Sequence, residues 1–525
     1  MTLTRYNATA ATLTKNRTGG DWCPTSGMCV TCVEGCIGMC EIGKSAYRGA
    51  EVIYPHPFGI STSASQKDYP VDLSHLNIMG TTFGAVGIDA DSDKAIFPNV
   101  DLEARLGNDE GVRLRLPFVV PGLGSTNVAK RNWDGLAVGS AISGTALTIG
   151  ENVCGMDPDT KIADGRVVHS PELERRVRLF NEWRDDGYGA IIVQANVEDT
   201  RLSVHEYAIE KLGVEVVEMK WGQGAKDIGG EVKIDDLAKA QLLKKRGYVV
   251  LPDPLDPAVI EDFKKGTFHE FERHSRVGMA TEEGFMKRVE ELRKAGAKYI
   301  SLKTGAYRPV DLARALRFCS MAKIDYLTVD AAGGGTGMSP WRMMNEWGVP
   351  CVELWSLLYR FCERLAAKGE HVPSIVLAGG MAFEDQIFKA FALCAPHVRA
   401  VGMARAPLAA VMVAKTLGRA LEDKQIPVFI RRYGTTRESV FITAEELKRK
   451  YGGDYDKLPT AAIGLYTYYK RLAQGLRQLM CGARKFALKH ITRNDIAALT
   501  PEAARISGIP LVSDLDAEEI ERILG

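Results

Sequence analysis

Val376-Leu377-Ala378-Gly379-Gly380 and, further on, Val401-Gly402-Met403-Ala404-Arg405 are the stretches on which the fold turns. Each is an apolar, β-branched run that stops at glycine. Glycine at a strand end lets backbone N–H groups approach a phosphate, with the positive end of a following helix close by. Two such turns in succession, late in the chain, are what the seventh and eighth strands of a (β/α)₈ barrel carry. An open doubly wound sheet also alternates strand and helix, but it places its glycine-rich turn after the first strand. Here the turn after the first run, Gly80-Thr81-Thr82-Phe83-Gly84, lacks that spacing, and the barrel is preferred.

Working outward, eight short apolar runs alternate with helical patterns, the signature of an α/β parallel sheet wrapped by helices. Strands are expected at 77–79, 116–120, 190–193, 214–219, 299–303, 326–330, 375–378 and 400–403, and helices at 171–184, 281–294, 309–318 and 406–421. The connections 121–189 and 220–297 are too long for bare loops, and the second carries a further candidate strand at 248–251. Long insertions at the C-terminal end of a barrel build the active-site wall. Helical patterns at 470–489 and 501–506 mark a mainly helical C-terminal extension. The expected organisation is a cysteine-rich segment over 1–70, the barrel over 71–420 and the extension over 421–525.

With 46% hydrophobic and 25% charged residues in 525, the composition suits a globular protein and makes disorder a poor reading. A formal net charge of +1 removes the electrostatic argument for a nucleic-acid or anionic-membrane partner. The longest small and apolar stretch, 135–150, is short for a bilayer and interrupted by Gly, Ser and Thr. The first twenty residues hold no apolar signal core, so a cytoplasmic protein is expected.

Five of the eleven cysteines fall between Cys23 and Cys40, a binding cluster and not a disulfide framework. The dense core Cys29-x₂-Cys32-x₃-Cys36-x₃-Cys40 lets one loop fold around a compact iron–sulfur centre, with Gly35 and Gly38 leaving backbone N–H groups near cluster sulfurs. A zinc knuckle and unligated thiols are the alternatives, although zinc sites usually split their ligands into two separated pairs. The assignment is a [4Fe-4S] or [3Fe-4S] centre on Cys29, Cys32, Cys36 and Cys40, with Cys23 as a substitute ligand or neighbour.

Two further elements carry chemistry. The loop Asp330-Ala-Ala-Gly333-Gly334-Gly335-Thr336-Gly337-Met338-Ser339-Pro340 spends so much backbone entropy that it must lie tightly against something, and Gly334 and Gly335 are assigned to the cofactor. A flexible surface loop is the alternative. Lys303 ends the run Tyr299-Ile-Ser-Leu-Lys303, so its ammonium should enter the barrel mouth and stabilise negative charge on a reduced flavin, or else pair with a structural carboxylate.

At Gln223-Gly-Ala-Lys226 within WGQGAKDIGGEV, and at GGGTGMSP over 333–340, the chain resembles the FMN-binding synthase domain of glutamate synthase and its shorter relatives. Met79-Gly-Thr-Thr-Phe83-Gly84-Ala85 and Ala146-Leu-Thr148-Ile-Gly150-Glu151 are similar to two more of its motifs. The resemblance covers roughly residues 75–420. It implies FMN with its phosphate near Gly379, Gly380, Gly402 and Arg405 and its ring near Thr81, Thr82, Gln194 and Lys303. It also implies a substrate side of Glu151, Gln223 and Lys226, suited to a 2-oxo acid or its imine.

The chain departs from the family in three ways. It begins Met1-Thr2 and reaches the expected barrel without the glutamine-hydrolysing domain, so ammonia is not expected from glutamine by that route. Residues 406–525 contain only Cys481, whereas the family's cluster cysteines follow the barrel. After Leu251 the chain reads Pro252-Asp-Pro-Leu-Asp-Pro257 in place of the family's histidine-containing segment. The expected function is an oxidoreductase passing electrons between cluster, FMN and a 2-oxo acid, imine or amino acid, as in glutamate biosynthesis. Its expected partners are an electron donor, such as ferredoxin or a reductase subunit, and further copies of itself. The other readings are an FMN enzyme acting on a different small substrate with partner subunits, and a non-catalytic electron relay.

Overall fold

A computed structural model describes residues 34–36, 41–49, 69–107, 110–224, 231–305, 308–334 and 347–525. Its centre is a closed barrel of eight parallel strands. In chain order they are β1 (Phe118–Leu123), β2 (Ala146–Ile149), β3 (Ala190–Ala195), β4 (Val216–Lys220), β5 (Tyr299–Thr304), β6 (Tyr326–Asp330), β7 (Ser374–Ala378) and β8 (Val398–Gly402). β8 pairs with β1 and closes the ring. Sequences such as AIIVQA in β3 and YLTVD in β6 are buried at every position, as strands covered on both faces require.

A helix follows each strand, from Asn127–Ser143 after β1 to Arg405–Glu422 after β8. Local chemistry sets their starts. Thr281 accepts a hydrogen bond from Gly284 N–H at 3.1 Å to cap Glu282–Lys294, and proline opens Pro171–Asn181 and Pro309–Met321.

Two expectations are corrected. The run at Asn77-Ile78-Met79 is not a barrel strand: Leu76–Ile78 pairs antiparallel with Ile496–Ala498, far away in sequence. A three-residue run reveals that it is extended but not whom it pairs with. The strand in its place is Ala146–Ile149, whose ALTI lies within the glycine-, serine- and threonine-rich stretch 135–150. The 121–189 connection therefore contains a regular strand and its helices, plus a small hairpin of Lys161–Ala163 with Arg166–His169.

The insertion between β4 and β5 holds an antiparallel sheet of Glu231–Ile234, Phe271–His274 and Val249–Leu251. It has a small core of its own around Tyr248 and Phe271. At the other end, the hairpin of Ala104–Leu106 and Val112–Leu114 covers the strand starts, where Gly107 N–H donates to Ser374 Oγ at 3.1 Å. No helix among the described residues is long and apolar enough to cross a membrane.

The helix Thr460–Gly482 packs against the helices that follow β1 and β8 and against the N-terminal helix Glu41–Arg48. Gly464 is the point of closest approach, since an added Cβ would lie 2.2 Å from Ala414 Cβ and 3.3 Å from the Ala46 carbonyl oxygen. Gly464→Val is expected to cost ~1–3 kcal/mol through overpacking. Urea unfolding measures it, and an unchanged midpoint would contradict this packing.

Candidate functional site

The C-terminal ends of the strands converge on one mouth. Ala378 and Gly402 are direct neighbours across β7 and β8, and the chain leaves β7 through Gly379 (φ +141°) and Gly380 (φ +98°), conformations that side chains disfavour. Gly402 is squeezed as well, because an added Cβ would meet Ala378 Cβ at 2.9 Å and Pro121 Cγ at 3.1 Å. The helix Arg405–Glu422 then begins at Ala404 with no side-chain cap, so its first N–H groups suit an anion. Gly379, Gly380, Gly402 and Arg405 are thus brought to one side of the mouth. Gly334 folds back on β6, where a Cβ would fall 2.0 Å from Asp330 Oδ1. Gly335 lies outside the described residues.

Beneath the mouth the barrel interior is polar. Gln194 on β3 donates from Nε2 to Glu218 Oε1 on β4 at 2.6 Å. Glu218 Oε2 accepts from Thr328 Oγ1 at 3.2 Å and from Ser301 Oγ at 3.4 Å. Lys303 on β5 places Nζ 3.5 Å from Asp330 Oδ2, and both side chains are buried. Burial pushes the Glu218 carboxyl up, opposed by the positive charge of Lys303. Gln194 Oε1 is buried and finds no hydrogen-bond partner among the described residues. It lies against Gly122 on β1, whose added Cβ would meet it at 2.6 Å.

Thr81 and Thr82 are exposed and follow the strand that lies outside the barrel, with Thr81 N–H donating to the Gly482 carbonyl. The first barrel strand instead delivers Pro121 to Gly124 to the mouth.

On the other side of the mouth, Glu151 just beyond β2 forms an ion pair of 2.5 Å with Lys220 at the end of β4. Glu151 and Gln223 line one cavity of about 850 Å³, together with Lys220, Trp221, Phe285 and Phe318. Lys226 lies outside the described residues. The Glu151 loop is held from below by Asp199, whose Oδ2 accepts from the Asn152 N–H at 2.9 Å. Glu218, Asp330 and Lys220 are the site residues that reading the sequence missed. The available signal was a charge inside a strand with no exposed face, as in VVEMK and YLTVD.

Of the cysteine run, only Cys36 is among the described residues, where it packs against the main core. Cys29, Cys32, Cys40 and Cys23 lie outside them. Nearby Glu34 bridges Arg131 at 3.2 Å and Lys415 at 3.0 Å, on the helices after β1 and β8. Among the described residues no group of three or more His, Cys, Asp or Glu side chains is set to hold a metal.

Residues 273–416, which include β5 to β8, match the family described as the conserved region in glutamate synthase. This part of the chain is similar to that conserved region. It contains Lys303, Asp330, Gly334, Gly379, Gly380, Gly402 and Arg405. No curated protein matches the chain. Among solved structures, the chain is similar to mandelate oxidase with (S)-2-phenylpropionate, at 15% identity and TM-score 0.43 over 80% of this chain and 86% of that one. It is similar to flavocytochrome b2 with sulfite bound, at 12% identity and TM-score 0.46 over 86% and 82%. It is also similar to (S)-mandelate dehydrogenase, at 12% identity and TM-score 0.43 over 87% and 91%.

Burial lifts the Asp199 carboxyl from 3.8 to about 7, with the negative charge of Glu151 adding to the shift and the Asn152 N–H opposing it. The folded protein therefore holds this proton more tightly than the unfolded chain does. The stability it contributes is complete below about 3.8 and falls as pH rises toward about 7. Asp199→Asn is expected to flatten that part of the profile in chemical denaturation; the same slope in both proteins would contradict the assignment.

Proposed function

We propose that the protein is an FMN-dependent oxidoreductase of the glutamate synthase type, acting on a 2-oxo acid, its imine or the corresponding amino acid. The observation that carries this reading is the pair of glycine turns at the ends of β7 and β8, within the glutamate synthase region and beside an uncapped helix start. Two further features fit a flavin: the polar barrel interior with its unpartnered Gln194 Oε1, and the Lys303 ammonium beneath the mouth. FMN supplies hydride and single-electron transfer, chemistry that no side chain provides.

The chain's own residues bind and orient. Backbone N–H groups at Gly379, Gly380 and Gly402 and the Arg405 side chain hold the phosphate, while Gln194 and Lys303 hold the ring. Glu151, Gln223 and Lys226 hold the substrate, with the Lys220 ammonium keeping the Glu151 carboxylate in place at 2.5 Å. The cysteine spacing supports an iron–sulfur centre, [4Fe-4S] or [3Fe-4S], on Cys29, Cys32, Cys36 and Cys40, fed by an external donor such as ferredoxin or a reductase subunit.

A second substrate reading is favoured by the cavity itself. At about 850 Å³, with Trp221, Phe285 and Phe318 on its wall, it falls in the ~300–1,000 Å³ range of pockets that enclose drug-sized ligands. A larger substrate with an apolar body suits it.

Anaerobically purified protein is expected to contain flavin and iron, and 2-oxoglutarate with ammonia to reoxidise its reduced flavin. Reoxidation only by a larger, apolar 2-oxo acid would favour the second substrate reading, and a flavin-free protein that takes up none would overturn the proposal. Lys226→Ala should lower turnover by at least about tenfold, or ~1.4 kcal/mol, and spare flavin binding. A Cys32→Ser, Cys36→Ser double variant should lose its iron and the associated visible absorbance; full retention of both would remove the cluster.

A further inference from the structure

We propose that Glu218 is a positioning residue: it fixes the Gln194 amide with the nitrogen inward and the carbonyl oxygen presented to the bound ring, so that the site demands an N–H donor there. The inference rests on the flavin reading above. An amide side chain can be turned over with little change of shape, so its polarity must be set by a neighbour. Here the neighbour is an acceptor. Glu218 Oε1 takes the Gln194 Nε2 hydrogen at 2.6 Å, and its other oxygen is occupied by the Thr328 and Ser301 hydroxyls at 3.2 and 3.4 Å. Turning the amide over against the ionised carboxylate would bring two oxygens face to face in a buried site. Hydroxyls rotate to suit a partner, but the amide cannot supply both poles to one atom.

One more observation bears on the orientation. Gln194 Oε1 is left buried and unpartnered, at the position where Gly122 withholds a side chain. An unmet buried carbonyl is destabilising, and an N–H from the ring offsets that cost. Glu218 touches no reacting atom. It acts through Gln194.

The test uses the full-length protein stripped of flavin and titrated with FMN, read by flavin fluorescence and visible spectrum. Glu218→Met, which cannot accept, should weaken FMN about tenfold, equivalent to ~1.4 kcal/mol, and shift the spectrum. Glu218→Gln, which can accept, should restore most of the affinity. Gln194→Met should lose as much, and the double Met variant no more than either single, because both act through one contact. A chemical probe covers the case in which Glu218→Met fails to fold. Oxidised flavin has one ring N–H, at N3, so FMN methylated at N3 should bind wild type more weakly than FMN does, and bind Gln194→Met no more weakly than FMN does. Equal FMN affinity and spectrum in folded Glu218→Met, or equal discrimination against the methylated flavin by wild type and Gln194→Met, would overturn the inference. Wild type that binds no flavin would instead overturn the functional reading.

Discussion

Closure of the barrel between its last and first strands is the constraint on which the site depends. Val401 N–H donates to the Pro117 carbonyl and Met403 N–H to the Val119 carbonyl, each at 2.9 Å, and this seam sets β8 beside β1. With the ring shut, the glycine turns after β7 and β8 stand next to Pro121 and Gly122, and all face the interior groups carried by β3 to β6. The seam is also tight. Gly402 is wedged between Ala378 and Pro121, so a side chain there would push the two strands apart. Outside the seam, the helix Thr460–Gly482 lies across the helices after β1 and β8, which braces the same joint from the surface.

Inside the ring, charge is arranged at a cost. Glu218, Lys303 and Asp330 are all nearly out of contact with water, and a buried ion pair seldom gains as much from attraction as it loses in desolvation. A barrel needing only stability would fill these positions with aliphatic side chains, as most of its core is filled. The polar group persists where β3, β4, β5 and β6 meet under the mouth, and the buried, unpartnered Gln194 Oε1 leaves it with an acceptor that wants a donor. The arrangement suits a planar, hydrogen-bonding ligand more than an empty cylinder.

Much of the barrel is legible in the sequence because its strands are short aliphatic runs and its helices announce themselves with caps such as Thr281 and the prolines at 171 and 309. β2 escapes because ALTI sits among small residues that blur its edges. Leu76–Ile78 misleads because pairing with Ile496–Ala498 is a long-range choice that no local pattern encodes. Thr81 and Thr82 follow that strand, outside the barrel. At the mouth, the placing of Gly379, Gly380, Gly402 and Lys303 on the strand ends is legible since glycine at a strand end and lysine in an apolar run are local signals. Glu218 and Asp330 are not, because their meaning depends on which strands lie beside them. The position of Cys36 and the bridges of Glu34 also emerge only from the packed chain.

The central claim is that the ends of β7 and β8 form a phosphate site for a flavin held over the polar interior. The most direct measurement compares the affinities of flavin-free protein for FMN and for riboflavin, which lacks the phosphate. The account predicts that FMN binds at least about a hundredfold more tightly, ~2.8 kcal/mol. Equal affinity for the two, or affinity for neither, would contradict it.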